Sequence, residues 1–301
     1  IGDSPFSDRR SRLSILGQVA ALKSLKAVVN SKLIIGGISI GYPRTKTGEL
    51  ALRNFFKSVD YFFIRGLETR NTLRKLGVPD EKMSIICDFA LHLDKKDSSE
   101  SNKYSRLIRG FNKPTVGLIL REYSYGPYRE NYVKSIKKLI SKLLEHDYKV
   151  FFVPTSYEYL IPENDQIFLE KVLNVNYHDI IDIKNLSPEE IISVFCNFDI
   201  VVSTRLHGAI YGTLANVPTI HLYEDPKSLE VVTDIFGDIV PLIKLSDFAE
   251  GKSIDKIVEM TSDLMRRKEE ILFETKSRIK SARESSINEL KYILEEKRLL
   301  D

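Results

Sequence analysis

The densest chemistry in this chain lies between residues 199 and 227, in the stretch DIVVSTRLHGAIYGTLANVPTIHLYEDPK. Three of its side chains, Arg205, His207 and Lys227, can bind an anion and move a proton. Arg presents a planar fork that matches a carboxylate or phosphate, and Lys adds a point charge. A His beside them titrates near neutral pH and can act as a general acid or base. No acidic cluster and no metal-ligand spacing accompanies them, which favours an anionic ligand held without a metal. A strand-end Arg also serves as a salt-bridge partner, and a lone His as a structural residue. Residue type and spacing leave those readings open.

The elements that must position these residues follow from the same stretch. Ile200-Val201-Val202-Ser203 is a short apolar run suited to a buried parallel strand. Ala209 to Ala215 fits a helix, Val217-Pro218 ends it, and Thr219 to Tyr223 is a second strand. Glu224 to Lys227 then turns off its end. Arg205 and His207 therefore close one strand and Lys227 follows the next. In a parallel sheet those ends share one edge, where open α/β sheets bind their ligands.

Earlier segments repeat the pattern of a basic residue at a strand's carboxyl end. Lys32 to Pro43 is an apolar strand running into glycines, and Gly41 is placed to let backbone N–H groups approach a ligand. A polar stretch precedes a helix from about Arg10 to Asn30 with Leu13, Leu16, Ala20, Leu22 and Leu25 on one face. Glu49 to Lys57 is helical, and Tyr61-Phe62-Phe63-Ile64 is a strand ending at Arg65. Asp60 and Glu68 are the neighbouring carboxylates that could pair with Arg65. A helix from Thr69 to Leu76 stops at Gly77, and Ser84 to Leu91 is read as a strand.

The polar run Asp94 to Lys103 reads as an interdomain linker, after which strand and helix alternate again. Thr115 to Leu120 is a strand ending at Arg121, Asn131 to His146 a helix, and Lys149 to Pro154 a strand followed by Thr155 and Ser156. Tyr123, Tyr125 and Tyr128 make an aromatic loop that could stack on a sugar or form a plain surface turn. Asp165 to Leu173 is a helix and Ile180 to Ile183 a short strand. Ser187-Pro188-Glu189-Glu190 opens a further helix with a cap and a first-turn proline. Repeated units of this size argue a doubly wound parallel sheet. Ile254 to Arg298 is helical and heavily charged, the mark of a solvated face.

Composition bounds the remaining choices. The chain has 301 residues, 43% of them hydrophobic and 29% charged, enough for two domains with sizeable cores. A net charge of +3 is too small to argue for nucleic acid or an anionic membrane. No nucleic-acid partner and at most peripheral membrane association are expected. Cys87 and Cys196 both sit in apolar contexts, which suggests reduced core thiols and a cytoplasmic setting. No apolar run reaches spanning length, and the start, which lacks a methionine, does not read as a signal peptide and leaves open whether the N-terminus is truncated.

Ser203-Thr204-Arg205-Leu206-His207-Gly208, then Val217-Pro218, then Tyr223-Glu224-Asp225-Pro226-Lys227, resembles the signature of the polysaccharide pyruvyl transferases. That family carries an S-x-R-L-H segment, a V-P strand start and a Y-D-x-K-type turn. Three further segments are similar. Gly37 to Pro43 matches a G-x-S-x-G-P segment, with Tyr42 inserted before the proline. Arg65 matches a V-R-D-x-x-S segment, with Gly66 in place of the acidic residue and Thr69 in place of the serine. Asp88 to Leu91 resembles a P-D-x-A-x-x-L strand without its proline, where Asp88 would hold the strand end or a substrate hydroxyl.

The resemblance runs from about Lys32 to Phe236 and carries expectations. The fold is expected to be α/β, with two Rossmann-like domains of parallel sheet in a glycosyltransferase-B-like arrangement. The domains are expected at 1–98 and 99–262, with a helical segment 263–301 crossing back onto the first. The activity implied is transfer of the pyruvyl group of phosphoenolpyruvate to two hydroxyls of a sugar as a ketal, with release of phosphate. The acceptor would be a cell-surface polysaccharide or its lipid-linked precursor. In that reading His207 is the acid/base, and Arg205 and Lys227 hold the donor's anions, with Arg65 or Arg121 reaching across a cleft. Gly41, Thr155, Ser156 and Tyr223 line the site, and no metal or cofactor is required. The rivals are a nucleotide-sugar-dependent glycosyltransferase of the same fold and a non-catalytic sugar-binding relative.

Overall fold

The structure is a computed structural model that describes residues 12–29, 31–122, 129–157, 164–224 and 226–296, without the side chains of 12–15, 226 and 227. Tyr123, Tyr125 and Tyr128 lie outside the described residues. The described helices are α1 (Arg12–Val29), α2 (Lys46–Phe56), α3 (Leu67–Lys75), α4 (Ser99–Arg109), α5 (Arg129–Glu145), α6 (Asp165–Ile167), α7 (Pro188–Phe195), α8 (Leu206–Leu214), α9 (Pro226–Phe236), α10 (Leu245–Ala249), α11 (Ile254–Arg266) and α12 (Lys268–Glu296). The strands are β1 (Ile34–Ile38), β2 (Tyr61–Ile64), β3 (Met83–Ile85), β4 (Thr115–Ile119), β5 (Lys149–Phe152), β6 (Ile200–Ser203), β7 (Thr219–Tyr223) and β8 (Leu242–Lys244). They form a three-stranded sheet, β1-β2-β3, and a five-stranded sheet, β5-β4-β6-β7-β8, each parallel throughout.

The chain divides into two compact units, at His92/Leu93 and again at Ile279/Lys280. The first unit holds the three-stranded sheet. Phe55, Phe56, Phe62, Ile64 and Leu73 form a core on one face. On the other, Tyr61, Phe63 and Ile86 pack with Ile293, Leu290 and Leu294 from the last part of α12, the segment expected to return to this sheet. Polar ties fix it there: Ser84 Oγ donates to Glu289 at 2.6 Å and the Cys87 N–H to Ser286 Oγ at 2.7 Å.

The second unit is a doubly wound sheet whose alternation can be read residue by residue. Val116, Leu118, Val150, Phe152, Ile200, Val202, Ile220 and Leu222 point into a core shared with α5, α10 and α11. Ile119, Phe151 and Val201 point the other way, into a core with Ile108 of α4 and Ile192, Val194 and Phe195 of α7. Strands buried on both faces must be apolar throughout, which is why β4 and β6 were legible as runs. The helix start at Pro188 also forms as expected: Ser187 Oγ accepts the Glu190 N–H at 3.3 Å, and Glu190 accepts the Ser187 N–H at 2.7 Å.

Several expectations need correction. The second half of the run read as a linker is the start of α4, because Ser98 and Ser101 cap a helix reciprocally, with 3.1 and 2.8 Å bonds. Strand β3 ends at Ile85, and Phe89–His92 is a short 3-10 turn. Ile180 to Ile183 is buried but pairs with the edge of β5 only as a single bridge at Phe152. In α1 the inward residues are Val19 and Leu22, whereas Leu16 and Leu25 are exposed. Strand β8 was not expected, since Pro241 interrupts its short apolar run. Among the described residues no helix is long and apolar enough to cross a membrane.

Candidate functional site

The second sheet changes direction of growth between β4 and β6, its topological switch point, and in open α/β sheets the carboxyl ends there frame a ligand crevice. Arg121 follows β4 and Arg205 follows β6. Their backbones are tied together, since the Arg121 N–H donates to Thr204 Oγ1 at 2.9 Å, and the Arg121 carbonyl accepts the Tyr132 hydroxyl at 2.9 Å. Burial of that phenol pushes its pKa up, so it stays a donor. The Arg121 guanidinium, partly exposed, lies 3.4 Å from Glu224 at the end of β7.

Arg205 is the N-cap of α8, held by the buried Ser203 hydroxyl, which accepts the Arg205 N–H at 3.1 Å and donates to the Arg205 carbonyl at 2.7 Å. Its Nη2 meets Asp165 Oδ1 at 2.5 Å. Its Nε is buried with no hydrogen-bond partner among the described residues. Asp165 is fully buried, and its Oδ2 accepts the Thr155 N–H at 3.1 Å, the Thr155 hydroxyl at 3.3 Å and the Ser156 N–H at 3.0 Å. Burial raises the Asp165 carboxyl pKa, opposed by Arg205 and by the Thr155 donors.

His207 is the second residue of α8, which begins at Leu206 rather than at Ala209 as its sequence suggested. The helix can start early because Gly208 lets its first turn sit directly against Ser203 and Ile119. His207 is half-buried, with its ring 6.3 Å from that of Tyr211. It therefore stands at the positive end of the helix dipole, which attracts anions. Lys227 is the second residue of α9, and its side chain lies outside the described residues. The starts of α8 and α9 follow neighbouring parallel strands, so the backbones of His207 and Lys227 occupy one rim. Tyr223 ends β7 there and is half-buried.

In the first unit, Arg65 also ends a strand, but its partner is neither Asp60 nor Glu68. It forms a buried ion pair with Asp88, and its Nε donates to Ser39 Oγ at 3.1 Å. Asp88 spends its other oxygen on the Ala90 N–H at 2.9 Å, so it holds this turn rather than a strand. Gly41 lies in the loop before α2 without a left-handed backbone; that role falls to Gly37, φ 66°, where a Cβ would come within 2.4 Å of the Phe89 ring. Arg121 belongs to the same unit as Arg205, so it does not approach Arg205 from the other unit. Each strand-end arginine thus has a carboxylate: Asp88, Glu224 or Asp165. Sequence reasoning missed these partners because they come from remote segments. Only Asp165, opening a predicted helix just after Thr155 and Ser156, offered a local hint. One arm of the guanidinium remains for a ligand after such pairing, because five N–H groups are available.

Among the described residues no group of three His, Cys, Asp or Glu side chains could hold a metal ion. A hollow of about 230 Å³ between Asp238, Pro241, Met260 and Arg267 lies at the amino end of β8, away from the rim.

Two units of parallel sheet wrapped by helices, with basic residues at the carboxyl rim and a last helix contributing to both, are the fold of the glycosyltransferase-B enzymes. HepE from Anabaena in complex with UDP-glucose matches with a TM-score of 0.59 at 12% identity, over 92% of this chain and 76% of that one. Sucrose-phosphate synthase from Thermosynechococcus elongatus matches with a TM-score of 0.60 at 12% identity, over 97% and 80%. Trehalose-6-phosphate synthase from Burkholderia multivorans matches with a TM-score of 0.55 at 10% identity, over 95% and 70%. At these identities the likeness concerns the fold alone. No curated protein matches the chain. The family model of the polysaccharide pyruvyl transferases matches residues 3–226, and the chain belongs to that family.

Proposed function

We propose that the protein transfers the pyruvyl group of phosphoenolpyruvate to two hydroxyls of a sugar in a cell-surface polysaccharide or its precursor, forming a ketal and releasing phosphate. The observation that carries this reading is the rim at the switch point, where Arg121, Arg205 and the start of α8 with His207 come together in a member of this family. The donor carries a phosphate and a carboxylate, which suits paired guanidinium groups and a helix N-terminus. In the reaction His207 protonates the methylene carbon of the enol, leaving a cationic centre at the neighbouring carbon. The first sugar hydroxyl adds there and loses its proton to the base that His207 has become. Phosphate then leaves, and the second hydroxyl closes the ketal. Of the two hydroxyl protons, one replaces that given to the carbon and the other departs with phosphate. Arg205 and Lys227 stabilise the leaving phosphate by charge.

A nucleotide-sugar reading is favoured by one observation, the likeness in fold to HepE, which was solved with UDP-glucose. The two are separated by incubating the protein with phosphoenolpyruvate and a panel of nitrophenyl and lipid-linked sugars, with phosphate and ketal measured together. Equal yields of both are expected. Consumption of a sugar nucleotide with phosphoenolpyruvate untouched would replace pyruvyl transfer by glycosyl transfer.

A further inference from the structure

Strands β5 and β6 are not neighbours, because β4 lies between them. Their carboxyl ends are two strand spacings apart, about 10 Å, and no ladder bond joins them. Asp165 spans that gap. One oxygen takes three donors from Thr155 and Ser156 after β5, and the other takes Arg205 after β6. Oδ2 is thereby saturated by the loop, and Oδ1 is the oxygen that Arg205 takes. The loop donors alone would satisfy one oxygen. The contact to Arg205 adds something the loop does not need: it commits one arm of a guanidinium that is still 24% exposed, and so decides which edge stays available.

We infer that Asp165 is the positioning residue for Arg205, fixing the edge of its guanidinium that faces the donor and locking the loop after β5 to the same point. This rests on the reading of Arg205 as a donor-anion contact. An amide in place of the carboxylate has one acceptor and one donor, so it cannot serve the loop N–H groups and Arg205 together.

The test is Asp165→Asn in the full chain with two readouts. The first is labelling of Arg205 by phenylglyoxal in ligand-free protein, followed by peptide mass spectrometry, with Arg109 as the internal reference. The second is steady-state kinetics with phosphoenolpyruvate and acceptor. Arg205 labelling is expected to accelerate relative to Arg109, and donor KM to rise about tenfold or more with acceptor KM unchanged. Adding Asp165→Asn to Arg205→Lys should raise donor KM little further, which a merely structural role would not produce. Unchanged Arg205 labelling in a folded variant, or unchanged donor KM in an enzyme that uses phosphoenolpyruvate, would overturn the inference. If the unmodified protein does not turn over phosphoenolpyruvate, pyruvyl transfer fails as a reading and the labelling still decides the tether. Should the Asn variant not fold, Asp165→Glu keeps the charge, displaces the carboxylate, and is read in the same two ways.

Discussion

Two glycines of α8 give a test of how tightly the site depends on its helix. A Cβ at Gly208 would lie 2.4 Å from Ser203 Oγ and 2.9 Å from Ile119 Cγ2, and one at Gly212 would lie 2.4 Å from Thr219 Oγ1 and 3.2 Å from Val201. Ordinary contact needs about 3.5 Å, so either alanine must push α8 from the sheet by about 1 Å. Overpacking of this kind costs about 1–3 kcal/mol, and the better helix propensity of Ala returns about 1 kcal/mol. Each variant should therefore lose up to about 2 kcal/mol, a Tm lower by up to roughly 8 °C for a unit of this size. Their activities should differ. Gly208→Ala strikes the very hydroxyl that holds the Arg205 backbone, and displaces the first turn that carries His207. A displacement of about 1 Å at reacting groups can cost about a hundredfold in rate. Gly212→Ala strikes one turn further on, against a Thr219 hydroxyl engaged with Val217, and should keep turnover within a few-fold. Thermal melts and phosphate release from phosphoenolpyruvate measure the two effects. Gly208→Ala with full turnover, or Gly212→Ala losing as much turnover as Gly208→Ala, would refute the coupling of helix seat to site.

Other outcomes follow from the same geometry. His207→Gln should lower turnover by about a hundredfold or more while donor affinity changes much less; a folded variant with near-normal turnover would remove His207 as the acid. Lys227→Ala should show the reverse balance, a weaker donor complex with a smaller effect on the chemical step, read by isothermal titration with phosphoenolpyruvate. Arg65→Ala removes the ion-pair partner of the buried Asp88 and should cost about 3–5 kcal/mol in urea unfolding; a loss under about 1 kcal/mol would leave Arg65 without its structural role. Burial and the nearby Arg283 lower the His92 pKa in the folded protein, so the unfolded chain takes up the proton first. Stability should fall as pH drops through the ordinary histidine range and level off below the folded pKa. His92→Gln should flatten that part of the denaturation profile, and an unchanged slope would contradict it.

What was legible in the sequence was whatever chemistry is local. A strand buried on both faces is written as a largely apolar run, so Tyr61–Ile64 and Ile200–Ser203 were found to the residue, and Thr219–Tyr223 was bounded by Val217-Pro218 before it and Glu224 after it. Caps are local too, and Ser187 with Glu190 announced α7. The same local logic misled at Ser98 and Ser101, where a polar run that resembles a linker is a pair of mutual caps. The basic rim residues were visible because they directly follow strands. Their carboxylates were not, because Asp88 and Asp165 lie 23 and 40 positions from the arginines they meet. The absence of an acidic cluster in the linear sequence was therefore no guide to the charge balance of the rim.

The composition of the two units has a consequence for how the chain is made. The second unit is one uninterrupted stretch from Leu93 to Ile279, whereas the first needs residues beyond Lys280 to cover the exposed face of its sheet. During synthesis the second unit has all its parts while the ribosome is still making the last helix. The first unit must hold Tyr61, Phe63 and Ile86 without their cover until Ile293 emerges, although its own strands were translated long before. In the nascent chain the unit that is synthesised earlier is the later one to close, because its aromatic face waits for the last helix.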